Sequence, residues 1–424
     1  MRASELKNRI SEGALSKYAH LYFDLDREKE RFSRITDAFL SLFGDGEAVL
    51  LSVPGRSEIL GNHTDHNRGC VLAGAINRDV IAVAKKNGTD IIRFFSEGYP
   101  MGEIAIDKCK NPDGFDKFTT PSLIAGVVGG FINRGYNVGG FDIAMTSDVL
   151  KGSGISSSAA FEVMIGNALN HLFSDGSVHN TEIAKIAQYA ENEYFGKPSG
   201  LMDQMACAVG GFVYIDFEDV KNPEVVPIDF SLDAAGYDLC IVNTGGNHAD
   251  LNEDYASVPG EMKAVAAELG ADVLRGISED ELIAKIPALR QKVGDRAVLR
   301  ALHFIRENKR VKEAKAALID GRVEDFLTAV NESGSSSFKY LQNVYTTKNV
   351  SEQGLSLALA LADGFLSGDG AYRVHGGGFA GTVQLFVSHD RLGELTALMN
   401  SVFGDGAAMT FNVRPVGAAR LDLT

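Results

Sequence analysis

Small and hydroxyl-bearing residues from Gly152 to Ala160 form a segment that could bind phosphate. The segment reads Gly-Ser-Gly-Ile-Ser-Ser-Ser-Ala-Ala, and its glycines let backbone N–H groups approach a ligand closely. Apolar residues then recur at helical spacing from Phe161 to Leu172, so the turn opens a helix. Anions bind at such helix starts because the first N–H groups lack partners. We predict a phosphate site here; the alternative is a flexible Gly/Ser turn that caps a core helix.

Two common phosphate-binding patterns do not describe this loop. The Walker A pattern is absent because no Gly-Lys-Ser/Thr follows the glycines. Ser157 stands where a dinucleotide fingerprint has its third glycine.

A second glycine-rich stretch, residues 376–382, contains a formal G-x-G-x-x-G, but a strand follows it where a helix is needed. We interpret that stretch as a second loop, packed over a ligand that the first loop binds.

A long polar loop, residues 55–69, lies between two predicted strands. A purely structural turn needs only about two to five residues. Loops carried on rigid strands are common places for ligand-binding groups. Asn62, His63 and Asp65 could therefore face the hydroxyls of a polar ligand such as a sugar, and the alternative is a solvated polar loop.

Two carboxylates in apolar surroundings are further candidates. Glu191 lies on the apolar stripe of a helix predicted over residues 181–194. A carboxylate there must be paired, protonated or bound to a cation, which leaves a salt bridge or a Mg²⁺ site. Asp203 follows a Gly/Pro break and is either a helix N-cap or a poorly solvated acid. Beside Arg56 or a lysine, such an acid would suit contact with a hydroxyl nucleophile.

Strands and helices must alternate to position these residues. Strands are predicted at 47–54, 71–85 (a pair), 140–146, 212–217, 237–243 and 383–387, with a hairpin over 91–106. Helices are predicted within 1–45, at 123–134, 161–172 and 181–194, over most of 257–335, and from residue 391. The length of 424 residues and a composition shift near 220–235 predict two domains, 1–225 and 226–424.

Bulk properties exclude several classes of function. A net charge of −15 argues against general nucleic-acid binding. The longest apolar runs fall short of the roughly 18 residues that a membrane span needs. The four cysteines include no C-x-x-C pair, which argues against a zinc cluster or a disulfide scaffold. The charged N-terminus has no apolar signal region, and we expect a cytoplasmic protein.

Taken together, the motifs resemble those of the galactokinase branch of the GHMP kinases, in the family's order and over most of the chain. Residues 55–69 are similar to the signature Gly-Arg-x-Asn-Leu-Ile-Gly-Glu-His-Thr-Asp-Tyr-Asn, and residues 152–160 to the ATP loop G-x-G-L-S-S-S-A-A. Residues 190–204 resemble the region of the Mg²⁺ glutamate and the catalytic aspartate. Residues 248–255 resemble a sugar-contacting segment, and 376–381 the third family motif.

The resemblance implies an α/β (α+β), two-domain GHMP kinase fold with the active site in the cleft between domains. It implies a sugar 1-kinase that uses ATP and Mg²⁺ and takes galactose first. Asp203 would orient or deprotonate the C1 hydroxyl, Arg56 would keep Asp203 ionised, and Ser158 and Glu191 would hold Mg²⁺. The implied ATP-binding residues are Lys151, Gly152, Ser153, Gly154, Ile155, Ser156, Ser157 and Ser158. The implied sugar-binding residues are Asn62, His63, Asp65, Gly200 and Tyr255.

The sequence departs from the family pattern at two linked positions. Asn62 stands where the family has the glutamate that meets the C6 hydroxyl, and Glu58 stands where it has an asparagine. Acid and amide have thus exchanged places. Because Asn can donate as well as accept, whereas ionised Glu only accepts, Asn62 could meet a C6 carboxylate. A galacturonokinase is therefore the alternative to a galactokinase.

Three hypotheses follow from these patterns. The first is a galactose 1-kinase, and the second is a kinase of a uronic acid, a pentose or another altered sugar. The third is a non-catalytic sugar and ATP sensor, which is least favoured because sensors lose part of the Ser-Ser-Ala-Ala stretch that is intact at 157–160. The expected partners are a sugar and ATP, without nucleic acid or membrane. The sequence does not set the oligomeric state and is compatible with a monomer.

Overall fold

The computed structural model describes residues 1–149, 154–246 and 251–424, and its strands form two sheets. The strands of the described residues are β1 (Val49–Leu60), β2 (Cys70–Lys86), β3 (Ile91–Ser96), β4 (Gly102–Ala105), β5 (Phe141–Ser147), β6 (Phe212–Asp216), β7 (Glu224–Ile228), β8 (Tyr237–Asn243), β9 (Ala371–His375), β10 (Thr382–Ser388), β11 (Ala408–Phe411) and β12 (Ala419–Leu421).

Helices cover both sheets. The α-helices are α1 (Ala3–Ser11), α2 (Leu25–Phe43), α3 (Thr120–Asn133), α4 (Ser157–Phe173), α5 (Asn180–Tyr189), α6 (Met202–Val209), α7 (Asn252–Glu268), α8 (Glu279–Lys292), α9 (Asp295–Ile319), α10 (Val323–Ser336), α11 (Gly354–Leu366) and α12 (Leu392–Phe403). Short 3₁₀ helices span Ala14–Leu21, Asp65–Asn67, Ile106–Lys110 and Pro112–Gly114, and π-helical turns span Ala190–Phe195 and Ser337–Leu341. No helix of the described part of the chain is long and apolar enough to cross a membrane.

The first sheet has eight strands in the order β12-β1-β2-β5-β3-β4, with β6 bound to β2 and β7 bound to β6. All of its pairs are antiparallel except β3 with β5. β1 is buried along its whole length; α4 and α6 contact it, and its residue Leu50 joins the apolar cluster formed with α1 and α2. The sheet therefore presents β1 to the site as a rigid, fully covered strand.

The second sheet has four antiparallel strands in the order β11-β8-β10-β9, and α11 and α12 pack against it. One apolar core continues from the first sheet to the second. Phe212 of the first sheet, Phe326 of α10 and Phe386 of the second sheet form edge-to-face ring contacts with centroid distances of 6.0 and 5.3 Å. This core holds the two sheets against each other.

The predicted fold class is confirmed, and three local predictions are corrected. β1 runs on to Leu60, so the first half of the predicted loop 55–69 is strand, and residues 71–85 lie in the single strand β2. The helix predicted over 181–194 is α-helical only to Tyr189 and continues as the π turn.

The sequence patterns did not predict β7, β9, β11, β12 and α11. The domain division at residue 225 stays a prediction, and β12 pairs with β1 in the first sheet.

Candidate active site

The predicted phosphate loop leads into α4, which begins at Ser157, four residues before the helix predicted from Phe161. Ser156 precedes the helix with a left-handed φ of 61°, and Ile155 is buried. A serine in this conformation is uncommon, and it is held here by a contact of its side chain. The predicted ATP-binding residues Lys151, Gly152 and Ser153 lie outside the described residues, as do residues 248–250 of the predicted sugar-contacting segment.

Arg56 and Asp203 form an ion pair beside this loop. Arg56 Nε and Nη2 lie 2.8 and 2.7 Å from Asp203 Oδ1, and Arg56 Nη1 donates to the Gly154 carbonyl at 2.5 Å. Ser156 Oγ donates to Asp203 Oδ2 at 2.6 Å. Asp203 is the second residue of α6 and not its N-cap, which is Leu201. The strand β1, the phosphate loop and α6 therefore meet at this carboxylate.

The ionisation of Asp203 is set by two opposed effects. Burial favours the neutral acid, but the charge and the hydrogen bonds of Arg56 outweigh it and lower the pKa of Asp203 below its usual value. The Asp203 side chain is still 33% exposed, so one side of the carboxylate faces the site. An ionised, partly exposed carboxylate beside a phosphate loop can accept a hydrogen bond from a hydroxyl substrate.

Ser158 and Glu191, the predicted cation ligands, are brought together from separate helices. Ser158 Oγ lies 3.5 Å from Glu191 Oε1, and Lys197 Nζ donates to the same oxygen at 2.8 Å. The π turn of Ala190–Phe195 carries Glu191, which is 2% exposed. π turns inside helices are frequent at functional sites.

These two oxygen donors fit a Mg²⁺ ion that arrives with a nucleotide. Mg²⁺ prefers oxygen and is usually bound by one or two carboxylates together with substrate phosphates. No group of three or more His, Cys, Asp or Glu side chains among the described residues could hold a metal ion by itself. One buried carboxylate and one hydroxyl at the start of α4 would hold a cation that phosphate oxygens also bind.

Two of the predicted sugar-binding residues, His63 and Tyr255, contact the second glycine-rich loop. His63 Nε2 lies 3.0 Å from the Gly377 carbonyl oxygen, and burial lowers the pKa of His63, which favours the neutral ring. The Tyr255 hydroxyl donates to the Gly378 carbonyl at 2.9 Å. A Cβ atom on Gly377 would lie 2.7 Å from the Tyr255 ring. Loop 376–381 is thus packed against the polar loop at His63, and its predicted position over a bound ligand stays a prediction.

Gly200 and Asp65 lie side by side on the opposite edge of the polar loop. A Cβ atom at Gly200 would stand 2.6 Å from Asp65 Oδ2. Only a glycine lets the Asp65 carboxylate occupy this position. The structure therefore brings together the polar loop and the segment before α6.

Asn62 is buried, and its amide is bonded within the protein. Its Nδ2 donates to Glu58 Oε1 at 2.8 Å and to the Gly376 carbonyl at 2.7 Å, and its Oδ1 accepts from Asn343 Nδ2 at 2.6 Å. The residue is 1% exposed, against 7% for Glu58. Glu58 also lies 3.6 Å from Arg373 Nη2. Of the two residues whose types are exchanged, Glu58 therefore has a larger exposed fraction than Asn62.

Sequence reasoning missed His375, whose ring lies between residues of β1 and β10. His375 Nε2 lies 3.1 Å from Ser57 Oγ, and Nδ1 lies 2.9 Å from Thr382 Oγ1. Burial, and then the nearby positive charge of Arg56, lower the pKa of His375 to about 3, so the ring is neutral. The sequence feature that could have identified His375 is its position directly before the glycines of 376–381. Asn343 gave no comparable signal because its partners are distant in sequence.

Comparison with known proteins agrees with this geometry. The family model of the GHMP kinases N terminal domain matches residues 122–211, and that of the galactokinase galactose-binding signature matches residues 37–86. A galactokinase from Streptomyces coelicolor is 29% identical over 394 residues, which cover 91% of this chain and 97% of that protein. A galactokinase from Glaesserella parasuis is 30% identical over 358 residues, or 84% of this chain and 90% of that protein. The crystal structure of Lactococcus lactis galactokinase complexed with galactose has a TM-score of 0.77 and 25% identity, with 92% of this chain and 100% of that chain covered.

Fold and site define a GHMP-type kinase, a phosphotransferase with an alcohol group as acceptor and ATP as a substrate. With relatives of this identity along nearly their whole length, the chain belongs to the galactokinase family of sugar kinases.

Proposed function

We propose that the protein is a galactokinase, which transfers the γ-phosphoryl group of ATP to the C1 hydroxyl of galactose. The observation that supports this most directly is the Arg56–Asp203 pair, with Ser156 on the second carboxylate oxygen. The pair supports the proposal because its ionised carboxylate lies next to the predicted phosphate loop. The galactose-binding signature over residues 37–86 supports the choice of sugar.

In this proposal Asp203 accepts the proton of the C1 hydroxyl. The C1 oxygen forms a bond to the γ-phosphorus, the bond from that phosphorus to the β–γ bridging oxygen breaks, and ADP leaves with the electron pair. Arg56 keeps Asp203 ionised and offsets charge on the phosphoryl group in transit. Phosphoryl transfer depends mainly on alignment and charge neutralisation, which a fixed ion pair supplies.

The phosphates of ATP would lie over the loop 151–158, at the positive end of α4. Mg²⁺ would neutralise phosphate charge, held by Ser158 and Glu191. Ser156 bonds Asp203 and the Gly154 carbonyl accepts from Arg56, which supports the assignment of residues 154–156 to ATP binding beside this pair.

The position of Glu58 favours galactose over a uronic acid. Arg56 and Glu58 are two residues apart on β1 and pair in register with Ala75 and Ala73, so they point to the same face. A carboxylate therefore remains next to residue 62 and would repel a C6 carboxylate. Because its amide is already bonded, Asn62 would have to break protein contacts to meet one. His63, Asp65, Gly200 and Tyr255 are proposed to surround the remaining hydroxyls.

A side-by-side substrate panel tests this proposal. ADP release would be measured with galactose, galacturonate, arabinose and N-acetylgalactosamine, and the position of the new phosphate determined by ³¹P NMR. We expect the largest kcat/KM for galactose and a C1 phosphate ester. A larger value for galacturonate would reject galactose as the substrate, and phosphate on another oxygen would reject the role of Asp203. Mg²⁺ as the cation, a cytoplasmic location and a monomeric state stay predictions.

A further inference from the structure

A second buried acid, Glu162, lies behind Glu191 and has no part in the proposed chemistry. It sits in α4, is fully buried, and accepts one hydrogen bond, from Gln204 Nε2 at 3.1 Å. Its other oxygen, Oε1, is buried without a hydrogen-bond partner among the described residues. Such an orphan oxygen destabilises a fold. An apolar side chain would suit the packing of α4 better, so packing does not explain an acid here.

Gln204 connects this acid to Glu191. Its Nε2 donates to Glu162 Oε2 and also to Glu191 Oε2, the latter at 2.7 Å. An amide nitrogen carries two hydrogens, and both are used by this pair of carboxyl groups. Gln204 is itself fully buried, so its amide has no solvent alternative. Three elements, α4, the π turn and α6, are joined through one nitrogen.

The link decides which oxygen of Glu191 faces the phosphate loop. Oε2 is engaged by Gln204, which leaves Oε1 turned towards Ser158 Oγ at 3.5 Å and Lys197 Nζ at 2.8 Å. Without the second acceptor at Glu162, the Gln204 amide could rotate away from Glu191. Groups behind a metal ligand commonly orient it in this way.

We propose that Glu162 is a positioning residue, which through Gln204 holds Glu191 with Oε1 directed towards the cation bound with ATP. The inference rests on the proposed role of Glu191 as a cation ligand. It does not depend on which sugar is phosphorylated.

The protonation of Glu162 suggests the conservative variant. Burial first, and then the neighbouring charge of Glu191, raise the pKa of Glu162 well above its usual value and so favour its neutral form. A neutral carboxamide has almost the same shape and can accept the same bond from Gln204. Glu162→Gln should therefore keep the link, whereas Glu162→Met fills the space and removes it.

The test measures ADP binding by calorimetry, with Mg²⁺ and with EDTA, for the wild type, E162Q, E162M and Q204M. We expect E162M and Q204M to weaken binding of Mg²⁺·ADP on the order of tenfold, with metal-free ADP affinity unchanged. E162Q should remain close to the wild type. The Mg²⁺ activation constant should rise in E162M while KM for galactose is unchanged, and its melting temperature should stay equal or increase.

A matched control is Asn167→Leu, because Asn167 is also a buried α4 residue with an unpartnered oxygen and bonds only the Ala419 carbonyl among the described residues. It should alter stability without altering the Mg²⁺ dependence.

Unchanged Mg²⁺ dependence in both E162M and Q204M would overturn the proposal, as would equal losses in E162Q and E162M with lowered melting temperatures. If Glu191→Ala keeps the full Mg²⁺ effect, the cation role of Glu191 fails and the inference with it. Failure to phosphorylate galactose, with the expected Mg²⁺ results, would reject only the sugar.

Discussion

The amide of Asn62 donates a hydrogen bond to the carboxylate of Glu58 across 2.8 Å. The two positions of the exchanged acid and amide are therefore in direct contact. Exchanging acid and amide between them moves one negative charge by the length of a side chain and keeps the pair intact. The exchange is thus best understood as one coupled change and not as two independent ones.

A double-mutant cycle at these positions should show strong coupling. Asn62→Glu alone places two carboxylates in contact in a buried site, and we expect kcat/KM for galactose to fall on the order of 100-fold. Glu58→Asn alone removes the charge and should also weaken galactose binding. The double variant E58N/N62E should recover most of the activity. Additive losses in the double variant would show that the two residues act separately.

Replacing the proposed proton acceptor should separate catalysis from binding. Asp203→Ala removes the acceptor for the C1 proton and leaves Arg56 without its partner, and we expect kcat to fall by about 10³-fold or more. Galactose binding, measured by calorimetry, should remain detectable because His63, Asp65 and Tyr255 are unchanged. Near-normal turnover of this variant would remove Asp203 from its role.

The patterns that the sequence predicted correctly are local ones. The start of α4 follows from glycines and serines next to an apolar repeat, and a buried Glu191 follows from helical spacing. The prediction of a loop over residues 55–60 is wrong because the charged residues of this half of β1 are neutralised by residues distant in sequence. Arg56 pairs with Asp203, and Glu58 lies near Arg373.

Contacts between distant parts of the chain left no local signal. β12 pairs with β1 across most of the sequence, and Asn343 reaches Asn62 in the same way. A three-residue strand such as β12 is stabilised by its partner and not by its own propensity. The link from Glu162 through Gln204 to Glu191 is of this kind, although a lone acid inside the apolar α4 was visible in the sequence.

The pH dependence of the enzyme should change in a defined direction when Arg56 is lost. The pKa of Asp203 is lowered below its ordinary value of 3.8, so its ion pair stabilises the fold above that pH, and this stabilisation is lost as the pH falls through the lowered pKa. In Arg56→Met burial is opposed by the Ser156 hydrogen bond and the Lys197 charge without the larger effect of Arg56, and the pKa of Asp203 should rise. ¹³C NMR titration of the carboxyl group measures this directly. An unchanged pKa would mean that Arg56 does not keep Asp203 ionised.

A single methyl group at Gly200 should disturb the sugar loop and little else. In Gly200→Ala the new Cβ would stand 2.6 Å from Asp65 Oδ2, so the Asp65 side chain must shift. We expect KM for galactose to rise several-fold, with a smaller change in kcat because Asp203 and Arg56 keep their contacts. Gly260→Ala is the matched control, since a Cβ in that helix meets nothing within 4 Å and should raise stability by about 0.5–1 kcal/mol. Equal effects of the two substitutions on KM would show that Asp65 does not contact the sugar.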